Sequence, residues 1–148
     1  MKKSILILAM SLASVVYAHD EGHGPKLADT GKYGGLVSAV VLKADAKKGS
    51  SAALVHKAEL VRTADGSTRV YLYDAKMAPL DLKGFDVKAS ASLASKVKGK
   101  WKNTAFELEL KENSFVGKMP KVASKPYDID VTIKQDGKEL LTAFDNLD

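Results

Sequence analysis

Apolar and polar residues alternate with a period of two along most of the chain after residue 35. In residues 104–111, phenylalanine and leucine alternate with glutamate and lysine, and in residues 127–134 tyrosine, isoleucine and valine alternate with aspartate, threonine and lysine. This period is typical of a β-strand with one buried and one solvated face, whereas helical periodicity is weak throughout. The pattern predicts strands at 35–43, 53–63, 68–74, 85–93, 104–111, 127–134 and 138–144, and lysine alternates with other residues at 96–102.

Turn signals separate these segments. Asp65-Gly66 and Asp136-Gly137 are dipeptides that favour tight hairpins. Pro79 breaks the pattern because proline cannot donate to a strand ladder. Seven or eight short strands predict an all-β fold, namely an immunoglobulin-like or related Greek-key β-sandwich, with a small β-barrel as the alternative.

Residues 1–18 have the tripartite pattern of a cleavable secretory signal peptide. Two lysines precede an apolar run, and Val16-Tyr17-Ala18 places small residues at the −3 and −1 positions of a cleavage site. The run is shorter than the ~20 residues that span a bilayer. We therefore expect a mature chain that begins at His19 and is soluble rather than membrane-spanning. It would be periplasmic, or extracellular if the host lacks an outer membrane.

The mature chain divides into an arm and a domain. Residues 19–35 contain five glycines and one proline without apolar periodicity, which predicts a flexible N-terminal arm. We expect residues 36–148, which hold all but the first residue of the predicted strands, to form one β-sandwich domain. The 130 residues left after cleavage are enough for one domain with its own hydrophobic core.

Charge and cysteine content narrow the classes of function. Loss of two lysines with the signal peptide lowers the formal net charge from +5 to +3. Only Arg62 and Arg69 are arginines, although nucleic-acid sites favour the arginine fork, so we expect no nucleic-acid partner. The lysines are interpreted as a solvated surface that also protects strand edges. The absence of cysteine excludes thiolate metal sites and thiol nucleophiles.

The predicted new N-terminus is the strongest candidate for chemistry. After cleavage, His19 carries a free α-amine beside its imidazole, and these two nitrogens can chelate one metal ion. Nitrogen ligands in a tetragonal field suit copper(II), and zinc or nickel would bind the same donors more weakly. Asp20 adds an oxygen ligand, and His23 lies four residues further on in the arm.

His56 is the third and last histidine of the chain. It lies in the second predicted strand and shares one face with Ala58 and Leu60. It would be a metal ligand if the arm docks beside it. Otherwise it is a partly exposed strand residue, which is the interpretation that a single strand histidine favours.

Enzyme motifs are missing from the sequence. There is no Gly-x-Ser-x-Gly elbow, no phosphate-cradling glycine loop and no His-Glu-x-x-His helix. With three histidines in the chain, there is little to activate a serine nucleophile. We therefore expect a protein that is not an enzyme, and a copper enzyme built on His19 is the weakest of the hypotheses.

Five stretches of the chain carry a resemblance to known proteins, namely His19-Asp20-Glu21-Gly22-His23-Gly24-Pro25, Tyr33-Gly34-Gly35, the segments 56–61 and 70–74, and Pro79-Leu80. In these stretches the chain resembles small periplasmic proteins associated with metal-efflux systems and, more distantly, periplasmic copper-resistance carriers. The carriers are small β-sandwiches whose mature N-terminal histidine binds copper(II), so the resemblance implies that His19 is the N-terminal ligand. Their later histidine ligand has no counterpart here, because no histidine follows His56, which leaves His23 or His56 to substitute.

Two hypotheses follow from the sequence. The first is a periplasmic, non-enzymatic protein that binds a metal ion, copper(II) first, as a carrier, a buffer or an accessory to efflux. The second is an exported interaction module that uses a sheet edge or a lysine-rich face to bind a protein or another envelope component. In the second case the histidines are incidental.

Overall fold

A computed structural model describes residues 24–148, so the predicted signal peptide and the candidate ligands His19, Asp20 and His23 lie outside the described residues. The described part is almost entirely β-structure, which confirms the all-β prediction. One 3-10 segment, Lys43–Ser51, follows the first strand. The strands are β1 Leu36–Leu42, β2 His56–Arg62, β3 Ser67–Tyr73, β4 Lys88–Val97, β5 Lys100–Lys111, β6 Ser114–Lys118, β7 Tyr127–Gln135 and β8 Lys138–Leu147.

The eight strands form one closed antiparallel barrel in the order β1-β2-β3-β6-β5-β4-β7-β8. Closure comes from the pairing of β1 with β8, in which Val41 lies opposite Leu141. The small β-barrel alternative therefore describes the architecture, and the two-sheet sandwich is not confirmed. Strands β4, β5 and β6 follow one another as hairpins, and β7 returns to pair with β4, which is a Greek-key arrangement.

Alternate residues of each strand fill the barrel interior. An eight-stranded barrel has an interior just wide enough for side chains to fill it, and here these side chains are almost wholly buried. Each leucine or phenylalanine removed from water contributes about 1.5–3 kcal/mol. Large buried members of this core include Leu60, Leu93, Leu108, Phe115, Ile129, Ile133, Leu140, Phe144 and Leu147.

A second, smaller apolar cluster lies on the outside of β1 and β8. Ala39, Val41 and Leu141 point outward there and are covered by alanines of residues 43–52. Leu27, from the segment that precedes β1, packs against the same cluster. The chain before β1 thus lies against the barrel wall, at least from residue 24.

Because the strands alternate in direction, their connections divide between two ends of the barrel. We call one the ribbon end, after the long β4–β5 hairpin, and the other the far end. The ribbon end comprises residues 62–66, 96–102, 118–126 and 147–148, and the far end comprises residues 43–55, 74–87, 111–113 and 134–139.

Candidate functional site

His56 is the first residue of β2, and its side chain points into the barrel. It lies opposite Val40 across the β1–β2 pair, and residues directly opposite each other share a face of the sheet. Val40 belongs to the interior core. His56 Nε2 lies 2.7 Å from Gln135 Oε1, and the imidazole centroid lies 5.9 Å from that of Phe85. The half-buried ring is therefore held by an amide and an aromatic side chain at the far end.

Gly24, the first described residue, lies on the opposite side of the wall. A Cβ atom at Gly24 would be 2.9 Å from Ala39 Cβ and 3.0 Å from Val41 Cγ1, both of which belong to the outer cluster. The predicted ligand segment thus joins the described chain on the outer surface, whereas His56 faces inward. Within residues 24–148, no group of three or more histidine, aspartate or glutamate side chains has the arrangement needed to hold a metal ion.

The outer surface of β2 carries a buried carboxylate that sequence reasoning did not single out. Glu59 is 0% exposed. Its Oε1 accepts the N–H groups of Tyr33 at 2.8 Å and Gly35 at 2.9 Å, and its Oε2 accepts the N–H of Lys32 at 2.9 Å and the hydroxyl of Tyr73 at 2.7 Å. We call this arrangement the Glu59 clasp. It ties the segment before β1 to the wall formed by β2 and β3.

Burial and hydrogen bonding act on the Glu59 carboxyl in opposite directions. Burial alone raises its pKa, but the bonds donated by Tyr73, Gly35, Tyr33 and Lys32 outweigh burial, so the pKa lies below its usual value of 4.5. Burial and the neighbouring carboxylate raise the pKa of the Tyr73 hydroxyl. Glu59 is therefore ionised and Tyr73 is a neutral donor at pH 7, a combination that suits a structural anchor better than a proton-transfer pair.

Further contacts reinforce the Glu59 clasp. Lys57 Nζ lies 2.7 Å from Asp29 Oδ2 in a largely buried ion pair. The ring of Tyr33 stacks on that of Tyr71 with centroids 4.1 Å apart. A Cβ at Gly35 would collide with the backbone carbonyl of Leu60, so only glycine permits this close approach. Residues 29–35 of the predicted arm are thus fixed along the outside of β2 and β3.

A cleft of about 750 Å³ opens at the ribbon end, between residues 33–36, the β2–β3 turn and the β6–β7 connection. Arg62 donates a hydrogen bond to the Tyr127 hydroxyl, and its guanidinium carbon lies 5.4 Å from the centroid of that ring. Lys118, Lys121 and Lys125 line the same cleft and are exposed. The cleft therefore combines aromatic and apolar walls with four cationic side chains.

Asp65 is one of two acidic residues in this cleft, and its carboxylate is already engaged. The Thr63 hydroxyl and the backbone N–H and hydroxyl of Ser67 donate to it. These bonds, the one from Thr63 first, lower the Asp65 pKa to about 2. The carboxylate thus stabilises the β2–β3 turn, and it offsets only part of the positive charge of the cleft.

The β4–β5 hairpin extends beyond the rest of the barrel beside this cleft. Strand β4 pairs with β7 only through residues 90–94, and β5 pairs with β6 only through residues 109–111. Residues 95–97 and 100–102 therefore pair only with each other, within the part of the chain described by the structure. The turn residues Lys98 and Gly99 both have positive φ, 51° and 77°, as a tight type I′ hairpin requires.

The tip of this hairpin, residues 96–102, is the feature we call the ribbon. All seven residues are exposed, including Trp101 at 41% and Val97 at 37%. Lys96 Nζ lies 5.5 Å from the centroid of the Trp101 ring. The Ser124 hydroxyl donates to the Lys96 carbonyl at 2.6 Å, which joins the ribbon to the β6–β7 connection that lines the cleft. The ribbon is thus attached to the connection that carries the cleft residues Lys121 and Lys125.

Comparison with known proteins yields no match to any family model, any curated protein or any solved structure. The resemblance to metal-efflux and copper-resistance proteins therefore stays a prediction. No helix within residues 24–148 is both long and apolar enough to cross a membrane. Of the four predicted metal ligands, only His56 lies within the described residues, and the metal site stays a prediction.

Proposed function

We propose that this chain is an exported, non-enzymatic protein that binds copper(II) at its mature N-terminus and acts as a carrier, a buffer or an accessory to efflux. The observation that carries the proposal is the position of His19 directly after the predicted cleavage site. An α-amine and an imidazole on one residue form a chelate that no internal histidine can offer, and copper(II) binds such nitrogen ligands more tightly than its neighbours in the first transition row.

The geometry of the described residues supports His23 over His56 as the additional nitrogen ligand. Gly24 lies on the outer wall, and His56 points into the barrel, where it contacts Gln135. The five residue steps from His19 to Gly24 reach at most about 18 Å. A site that includes His56 would require this short segment to pass around the far end to an imidazole that faces into the barrel. A site of His19, Asp20 and His23 does not require this path.

The test is a copper(II) titration of the correctly processed protein and of a form with one extra residue before His19. We expect the extended form to bind at least tenfold more weakly, because the His19 nitrogen is then a peptide amide and no longer the amine half of the chelate. His23→Ala should also weaken binding, whereas His56→Ala should leave the affinity unchanged. Equal copper(II) affinity of the processed and extended forms would refute the proposal of an N-terminal chelate.

A second candidate function is an interaction module that binds an anionic partner at the ribbon end, and the charge distribution favours it. The ribbon end carries eight basic and two acidic residues, whereas the far end carries eight basic and seven acidic residues. Retention on a negatively charged resin tests this asymmetry. Replacing Lys98, Lys100 and Lys102 by glutamine should shorten retention more than the same change at Lys43, Lys47 and Lys48 of the far end.

A further inference from the structure

We propose that the ribbon is a docking element for an anionic lipid surface, with Trp101 at the level of the lipid headgroups and the lysines against the phosphates. This inference names the partner of the second candidate function and rests on that function. It is independent of the copper site.

The ribbon is an exposed hairpin tip. The β4–β5 pairing and the hydrogen bond from Ser124 to the Lys96 carbonyl hold its strands, and a tight turn closes its tip. Lys96 and Trp101 lie opposite each other and share one face. Val97 and Lys100 form the next pair on the other face. Each face of the tip therefore carries an apolar side chain next to a lysine, and the turn adds Lys98.

This composition fits a membrane interface. Tryptophan is enriched where one part of a side chain is apolar and the other is wet, and at headgroup level it finds both conditions. Lysine lays its aliphatic stem along apolar surface while the ammonium group reaches outward to charge. Basic residues near an anionic leaflet attract it cumulatively. The four ribbon lysines act beside Lys118, Lys121 and Lys125 of the cleft, so the whole ribbon end complements a negative surface.

Other anionic partners fit the ribbon less well. Nucleic-acid and phosphopeptide sites rely on the bidentate arginine fork, and the ribbon contains no arginine. Lysines that serve only to protect a free strand edge need no tryptophan beside them. A lipid surface uses both the lysines and the tryptophan.

The experiment uses a reporter that the protein already has. Trp101 is the only tryptophan of the chain, so its fluorescence reports on the ribbon alone. The full mature protein is titrated with vesicles of phosphatidylcholine and with vesicles that contain phosphatidylglycerol as well. We expect a blue shift with the phosphatidylglycerol vesicles only, reversed by high salt because the attraction is screened.

Matched variants locate the binding surface by co-sedimentation with the same vesicles. Lys98→Gln/Lys100→Gln/Lys102→Gln should lower the apparent affinity by roughly tenfold or more, since each lysine adds to the attraction. Lys96 is left in place because it contacts Trp101. The control Lys43→Gln/Lys47→Gln/Lys48→Gln removes equal charge at the far end and should change affinity less than about twofold. Trp101→Ala should weaken binding with every lysine intact.

Four outcomes overturn the assignment. A blue shift of the same size with phosphatidylcholine alone removes the role of charge. Equal losses in the ribbon and far-end variants remove the role of the ribbon. Ribbon-dependent binding to soluble polyglutamate without vesicle binding keeps the interaction module but replaces the lipid by an acidic polymer. If neither vesicles nor polyglutamate depend on the ribbon, the second candidate function fails as well, and copper titrations remain a separate test of the first.

Discussion

Charged side chains are buried and hydrogen-bonded in one part of the outer barrel surface and exposed to solvent in another. On β2 and β3, a segment from outside the sheet covers the strands, and Glu59 beneath it receives four hydrogen bonds. On the ribbon, residues 96–102 are exposed and carry four lysines. The two regions look alike in sequence, since both alternate charged with other residues. The difference shows that a charged side chain on a strand contributes to stability when another segment of the chain supplies hydrogen-bond donors to it.

The covered region depends on complete satisfaction of its buried groups. A carboxylate removed from water costs several kcal/mol unless hydrogen bonds replace the lost hydration. Three backbone N–H groups and one hydroxyl supply those bonds at Glu59, and the same bonds fix residues 32–35. Substitutions should therefore have large effects on stability at the Glu59 clasp and small ones on the ribbon.

The largest effect is expected for Glu59→Gln, which should lower the free energy of unfolding by about 3 kcal/mol. It removes hydrogen bonds to a charged group and turns an amide NH₂ toward a neighbouring donor. Urea unfolding followed by circular dichroism measures the change. The control is Glu109→Gln on β5, where the side chain is exposed and the change should stay within about 0.5 kcal/mol. Equal effects at both positions would contradict the structural role of Glu59.

The second prediction is that this difference between wild type and Glu59→Gln depends on pH. The pKa of Glu59 is lowered in the folded state from its usual value of 4.5, so the unfolded chain takes up the proton first as pH falls. The stabilisation is complete above pH 4.5 and is lost as pH falls through the lower, folded pKa. Unfolding at a series of pH values should show the two proteins converging in acid.

Other carboxyl groups titrate in the same range, including Asp65 and Asp74, whose pKa values are also lowered. They titrate alike in both proteins, so the difference between the proteins isolates Glu59. If the difference in free energy of unfolding between the two proteins stays constant from neutral to acid pH, Glu59 stabilises the fold through its packing rather than through its charge.

A smaller effect is expected for Lys57→Met, which should lower stability by about 1–2 kcal/mol. Lys57 is 8% exposed, and its loss leaves Asp29 without its ion-pair partner. Adding Asp29→Asn should recover part of the loss, and the double-mutant cycle measures the coupling. The matched pair Lys88–Glu107 is exposed, so Lys88→Met should change stability by less than about 0.5 kcal/mol. Additive changes at Lys57 and Asp29 would mean that the pair contributes nothing.

The smallest effect on stability is expected in the ribbon. Lys98→Gln/Lys100→Gln/Lys102→Gln should stay within about 0.5 kcal/mol of wild type, because these side chains lie in solvent and carry no buried hydrogen bond. Thermal and urea unfolding measure it. A loss as large as that of Lys57→Met would show that the ribbon, like β2, is covered by another part of the full chain.

Local patterns predicted most strands but not their closure. The alternation at 104–111 predicted β5, but the strand begins earlier, at Lys100. Its first residues were not predicted because they belong to the lysine-rich hairpin, which lacks a clear apolar face. Strand β6 was missed because five residues that include Gly117 offer too short an alternation. A barrel and a sandwich share the same period of two. The β1–β8 pairing that separates them joins residues about a hundred positions apart, which no local pattern reveals.

For the candidate sites as well, the sequence predicted local features but not contacts between distant segments. His56 was placed correctly on one face with Ala58 and Leu60, because strand alternation is local. The same alternation puts Glu59 on the opposite face, but its burial depends on donors 24 to 27 residues earlier in the chain, which no local pattern reveals. The glycines at 31, 34 and 35 predicted a flexible arm. In the structure, Gly35 instead allows the backbone to approach the Leu60 carbonyl, so this part of the segment is docked on the barrel wall.

The barrel begins with Leu36 and ends with Leu147 at the same end, and residues 36 and 148 line the same cleft. This placement decides where a fused label would act. A polyhistidine tag after Asp148 would bring foreign metal ligands and bulk to the cleft and to the neighbouring ribbon. A tag before His19 would remove the free amine on which the proposed copper site depends. An internal label in the β7–β8 turn at Gly137, on the opposite side of the barrel, would avoid both surfaces.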